Sequence, residues 1–216
     1  MASLIRLSGD RLGFRFTHRT SDYATHQPVL YRIVAMTDGP ILELGCGHGS
    51  TPLLHRFARG RQIVSVDNDP HWLRMFRARY EGAGHRFVLT DDWDRTLGDG
   101  TLDGEWSVVF IDQSPWEARY RSLMRLRDRA EYIVLHDADY FPAHGIFGTQ
   151  LRPITPFVDP GRRDYGDVFE HWTEFFPDKP WPAATGPPTL LGSNVRRCDV
   201  DVSFDVEHVL APRVRP

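Results

Sequence analysis

The chain has 216 residues, 26 Lys and Arg against 29 Asp and Glu, and a formal net charge of −3, which gives no general polyanion-binding surface and no expectation of a nucleic-acid partner. Hydrophobic residues at 41% and charged residues at 25% exclude a disordered chain and support one sizeable domain. Two cysteines (Cys46 and Cys198) are too few for a disulfide framework, and no apolar run reaches membrane-spanning length, so a cytoplasmic protein without membrane contact is expected.

Residues 1–39 read as an N-terminal cap segment, polar up to Gln27, with "THRTSDYATHQP" as a loop before a helix starting near Pro28. Short apolar runs then alternate with helical spacing. Pro40–Gly45, Gln62–Asp67, His85–Thr90, Trp106–Asp112 and Glu131–Asp137 are rich in β-branched residues and apolar on both faces, as in strands of a covered parallel sheet. Ser50–Arg59, Pro70–Tyr80 and Pro115–Arg129 have helical periodicity, with Asp69 and Ser114 as N-caps before a proline. This alternation predicts an α/β fold, a Rossmann-like doubly wound, mostly parallel sheet, within a single domain spanning 1–216.

After Asp137 the texture changes. Residues 140–188 are dense in aromatics, proline and glycine and read as a cap-like insertion. Tyr165, Phe169, Trp172, Phe175, Phe176 and Trp181 supply either an acceptor-pocket wall or an ordinary satellite core. Regular structure returns at Thr189–Val195, and the alternation of Asp199–Leu210 predicts an antiparallel strand at the sheet edge.

The stretch "ILELGCGHGS" (Ile41–Ser50) places Gly45, Gly47 and Gly49 between a strand and a helix. Glycines there let backbone N–H groups approach a ligand closely. A P-loop would need a following lysine, and Lys179 is the chain's lone lysine. A dinucleotide fingerprint needs glycine at its sixth position, where Ser50 stands, so a nicotinamide enzyme is disfavoured.

Acidic residue, any, Gly, any, Gly, any, Gly, running from Glu43 to Gly49, resembles motif I of the class I S-adenosylmethionine-dependent methyltransferases. The resemblance spans roughly Pro40 to Asp137 and implies S-adenosyl-L-methionine as cofactor. It implies that Asp67 at the end of the second strand, with Asn68 beside it, meets the ribose. Asp91, Asp92 and Trp93 then lie near the adenine, and Asp112 with Gln113 beside the cofactor at the end of the fourth strand. Glu43, Asp67, Asp91 or Asp92, and Asp112 would surround a sulfonium with negative charge, which a phosphate would not tolerate.

Gln113-Ser114-Pro115-Trp116 departs at its first two positions from the Asn/Asp-Pro-Pro-aromatic tetrapeptide of amine-methylating relatives. That departure argues against base methylation and for a small-molecule acceptor, methylated at oxygen or nitrogen. Gln113 and Arg119 are candidate contacts to the cofactor carboxylate or the acceptor. "HDAD" (His136–Asp139) closes the fifth strand, and His136, Asp137 and Asp112 are the candidate catalytic groups, His136 as proton acceptor. Adjacent strand residues point to opposite faces, so His136 and Asp137 share the pocket only if the strand ends between them. Asp112, Asp137 and Asp139 are an alternative Mg²⁺ set, which the sequence leaves incomplete. Aminopropyl transfer, cyclisation, a catalytically silent cofactor-binding module and a homodimeric assembly all stay open.

Overall fold

The computed structural model describes residues 14, 16–18, 21–58, 60–138, 165–176 and 187–202. A short 3-10 turn at Asp22–Ala24 leads into α1 (Gln27–Met36). Then follow β1 (Ile41–Leu44), α2 (Thr51–Phe57), β2 (Ile63–Asp67), α3 (Pro70–Tyr80), β3 (His85–Leu89) and α4 (Trp93–Thr96). The second half runs β4 (Trp106–Ile111), α5 (Trp116–Leu126), β5 (Ala130–Leu135), β6 (His171–Phe175) and β7 (Thr189–Ser193). These strands form one seven-stranded sheet in the order β3-β2-β1-β4-β5-β7-β6. Strands β1 to β5 are parallel, while β7 runs antiparallel to both β5 and β6.

The alternation of side chains along each strand builds two apolar layers. Leu42, Leu44, Val64, Val66, Val109, Ile111, Ile133, Leu135 and Leu190 pack on one face with Trp93, Leu123 and Leu126. Ile41, Ile63, Val108, Phe110, Tyr132, Val134 and Leu191 pack on the other against α1 and α2, through Leu30, Ile33, Leu53 and Leu54. Both faces are covered, which is why the central strands are apolar throughout. The sheet order reverses between β1 and β4, so their C-terminal ends flank a crevice where α/β sheets bind ligands.

The expected cap at Asp69 forms, while other local expectations need correction. Asp69 caps α3, its Oδ1 accepting from the amides of His71 (2.8 Å) and Trp72 (3.1 Å). Ser114 is not a cap; Pro115 occupies that position and α5 starts at Trp116. Among the described residues the antiparallel edge is made by β6 and β7. The described part of Asp199–Leu210, residues 199–202, has no strand, and its remainder lies outside the described residues, as do Asp139 and Trp181. Strand β6 falls inside the segment read as an insertion. Tyr165 and Phe169 are buried in the core beneath it, so these two aromatics cover the sheet.

Gly192 in β7 marks how tightly that edge is packed: a Cβ there would lie 2.3 Å from the Phe169 ring. Gly192→Ala should therefore cost about 1–3 kcal/mol through overpacking. A lowered denaturant midpoint at unchanged m-value would show it, and an unchanged midpoint would contradict this packing.

Candidate functional site

The glycine turn leaves β1 directly over the crevice, and its three glycines do different things. Gly45 has φ +92°, and a Cβ on it would lie 2.6 Å from the backbone of Asp112. It is glycine because the ends of β1 and β4 nearly touch. A Cβ on Gly49 would meet the His26 ring and the Tyr23 carbonyl at 3.0 Å, so this glycine lets the N-terminal segment lie across the turn. Around Gly47 the nearest atom is Ser50 Oγ at 3.4 Å, so close protein packing does not account for a glycine there.

Asp67 ends β2 beside this turn. Its Oδ2 accepts from the Cys46 amide and its Oδ1 from the Asp69 amide, both at 2.8 Å. Two backbone amides thus aim the carboxylate, and a carboxylate has lone pairs left for further donors. Burial raises its pKa against those two hydrogen bonds. Glu43 lies deeper, fully buried in β1. It accepts from Thr51 Oγ1 at 3.0 and 3.1 Å and from Ser65 Oγ, and burial lifts its carboxyl to about 7. Thr51 in turn accepts from the Gly47 amide at 3.0 Å.

A second cluster sits where β4 and β5 end. Strand β5 stops at Leu135, and Asp137 takes a left-handed backbone with φ +54°. The break lets His136 and Asp137 face the same group. His136 Nδ1 lies 3.2 Å from Asp112 Oδ1 and 3.4 Å from Asp137 Oδ2. Its Nε2 lies 3.0 Å from Thr25 Oγ1, whose own proton goes to the Pro187 carbonyl at 2.8 Å. Because that hydroxyl proton is committed, His136 Nε2 must donate to Thr25. The Nδ1 side faces carboxylates, so the arrangement favours a doubly protonated imidazolium. Desolvation works against that charge, but Asp112 and Asp137 outweigh it and raise the His136 pKa. Desolvation likewise opposes the charge on Asp112, and His136 and Arg119 overcome it and hold Asp112 below the usual carboxylate range.

Arg119 from α5 knits the cluster together. Its Nε donates to the Gln113 carbonyl (2.7 Å), and its other nitrogens donate to the carbonyls of His136 (3.0 Å) and Asp112 (3.1 Å). The guanidinium also pairs with the carboxylates of Asp112 (2.9 Å) and Asp137 (3.2 Å) and stacks on Trp116 at 3.7 Å.

No protein-family model and no curated protein matches the sequence. Solved structures match over most of the chain. A fibrillarin pre-rRNA processing protein from Methanococcus jannaschii is 15% identical, with 89% of this chain and 87% of that one covered and a TM-score of 0.55. A spermidine synthase in complex with the transition-state analogue AdoDATO is 12% identical, covering 97% and 79%, with a TM-score of 0.51. A Streptococcus mutans protein described as a SAM-dependent methyltransferase is 12% identical, covering 88% and 55%, with a TM-score of 0.51. The fold is that of the class I, Rossmann-like methyltransferases.

Within this class I fold the remaining candidate residues separate. Asn68 is exposed beside Asp67. Asp91 is exposed and paired with Arg95, and Asp92 caps α4 by accepting from the Arg95 amide at 3.0 Å. The Trp93 ring is buried in the core, its Nε1 donating to the Ser114 carbonyl at 2.8 Å. The Gln113 side chain points inward to Ser122 Oγ at 2.8 Å, so any ligand contact falls to its backbone. Arg119 likewise spends its donors on protein groups. Thr25 and His26 escape notice in the sequence because only the fold brings the N-terminal loop onto β5. His26 is buried, neither ring nitrogen has a hydrogen-bond partner among the described residues, and desolvation lowers its pKa to about 3. His26, Asp112 and His136 have metal-ligand spacing, but Arg119 and His136 already share Asp112 Oδ1, and a divalent ion would add charge to a balanced cluster.

The raised His136 pKa has a direct consequence for stability. The folded value lies above an unfolded value of about 6.5, so the contribution is full below that pH and is lost as pH rises through the folded pKa. Denaturation of wild type and His136→Gln across this range should give a stability gap that narrows as pH rises. A gap independent of pH would contradict the assigned charge.

Proposed function

We propose that the protein is an S-adenosylmethionine-dependent methyltransferase acting on an oxygen or nitrogen of a small-molecule acceptor. The observation that carries this reading is the juxtaposition, at one end of the sheet, of the glycine turn with Asp67 and the His136–Asp112–Asp137 cluster. The turn fits an adenosine–methionine group: Gly47 is free of close packing, Asp67 is aimed by two amides, and no lysine follows the glycines in the sequence as a phosphate would need. S-adenosylmethionine, when bound, supplies a methyl group activated on a sulfonium. In this reading Asp67 takes the ribose hydroxyls and the Gly47 backbone lies against the ligand.

His136 handles the acceptor proton. Its Nε2–H is fixed by Thr25, so the proton that leaves the imidazolium comes from Nδ1, between Asp112 and Asp137. The neutral form then has its lone pair on Nδ1, and the two carboxylates stabilise the imidazolium again once the acceptor proton arrives. Arg119 keeps both carboxylates in place. The acidic net charge favours a small acceptor over a polyanion.

Gly47→Val should leave the melting temperature nearly unchanged and abolish S-adenosylmethionine binding in calorimetry. Undiminished affinity would reject the turn as the cofactor site. His136→Gln should retain binding yet lose turnover by about 10²-fold or more. Wild-type turnover should rise with pH along a limb lying above about pH 6.5, set by the raised His136 pKa. Normal turnover by His136→Gln would leave alignment of the reactants as the whole of catalysis. Turnover with decarboxylated S-adenosylmethionine but not with S-adenosylmethionine would assign aminopropyl transfer instead.

A further inference from the structure

Glu43 is not at the surface of the crevice and plays no part in the proton handling above, yet it is joined to both the cofactor turn and the outside by an unbroken chain of hydrogen bonds. Toward the turn, Thr51 Oγ1 donates to Glu43 and accepts the Gly47 amide at 3.0 Å. Away from it, Ser65 Oγ meets Glu43 on one side and His85 Nε2 at 2.8 Å on the other. His85 Nδ1 then lies 3.2 Å from Nδ1 of the exposed His55 on α2. Register makes the chain possible: Glu43 pairs with Ser65 across β1 and β2, and His85 begins β3 on the same side of the sheet.

We propose that Glu43 is a positioning residue that ionises as the cofactor binds, and that Ser65, His85 and His55 carry its proton to solvent. The proposal rests on the reading of the glycine turn as the cofactor site. In the protonated state Glu43 donates to Ser65, Ser65 to His85 Nε2, and His85 Nδ1–H to His55 Nδ1. On ionisation each proton advances one place. The Glu43 proton passes to Ser65, the Ser65 proton to His85 Nε2, the His85 Nδ1 proton to His55 Nδ1, and the His55 Nε2 proton to water. One proton leaves, one negative charge stays on Glu43, and His85 changes tautomer but never charge. Burial, which keeps the His85 pKa near 3, suits it to a neutral relay.

The groups facing Glu43 agree with this. Asp67 of β2 disfavours its ionisation, and Cys46 in the turn is held as a neutral thiol by burial and by Glu43 and Asp67. Burial, with a smaller addition from Asp67, keeps Glu43 titrating near neutrality, whereas the hydroxyls of Ser50, Ser65 and Thr51 favour the anion. A sulfonium arriving over the turn adds the positive charge that tips the balance. The ionised carboxylate then holds the Thr51 hydroxyl proton firmly and leaves a Thr51 lone pair for the Gly47 amide.

Two measurements separate this proposal from the cofactor reading beneath it. In ligand-free protein, infrared difference spectra should show a protonated carboxyl band that titrates near pH 7 and is missing from Glu43→Gln. After a rapid pH jump, loss of that band should be fast in wild type, and the fast phase should disappear in both Ser65→Ala and His85→Phe. Either variant suffices if the other fails to fold. Absence of the band, or a fast phase unaffected in a folded variant, overturns the relay whether or not the cofactor binds. Calorimetry of S-adenosylmethionine binding near pH 7 in buffers of different ionisation enthalpy should show proton release by wild type and none by Glu43→Gln. Binding without proton release overturns the coupling alone, and no binding at all overturns both the coupling and the cofactor site.

Discussion

A buried guanidinium sets the geometry of the site. Arg119 is nearly inaccessible to solvent, and a charge in that position is tolerable only when every donor finds an acceptor. It finds three carbonyls and two carboxylates, drawn from the end of β4 and the residues just beyond β5. Those strands end on α5 because Arg119 holds them there. The left-handed turn at Asp137 and the inward aim of His136 belong to the same arrangement. A lysine could not reproduce it, since a single ammonium cannot span five acceptors in a planar fork.

The glycine turn shows how one sequence motif can serve several constraints. Gly45 answers to the closeness of two strands and Gly49 to the N-terminal segment lying over the turn, which leaves Gly47 for a ligand. Beneath the turn, Glu43 is tied to Gly47 through Thr51, so the acidic residue of the motif acts on the backbone rather than on the crevice. Asp67 reaches the turn from the next strand and is itself held by the turn, through Cys46. The geometry of the turn and the packing of the strands are therefore coupled.

Much of this was legible in the sequence, where strong periodicity met clear punctuation. The five parallel strands and α3 sit where apolar runs and the Asp69 cap put them, because both signals are local. Helix α4 has only four residues and no periodicity to read, and β6, "HWTEF", carries little apolar signal because it lies half-exposed at an edge. Trp93 and Gln113 stood at ligand-facing positions by motif, but their side chains turn into the core, a choice made by packing partners far along the chain. Thr25, His26 and the inward role of Arg119 depend on contacts across the fold, which no local pattern carries. The Glu43–Ser65 pair had a visible signal, a polar residue in the midst of each of two neighbouring apolar strands.

The most direct measurement is a backbone amide NMR titration with S-adenosylmethionine. The account predicts saturable shifts centred on Gly47, on Asp67 to Asp69 and on Asp112 and Gln113, with the far end of the sheet near Trp106 and Ala130 undisturbed. Saturable shifts confined to other regions, or none at all, would contradict the assignment of the cofactor to the crevice between β1 and β4.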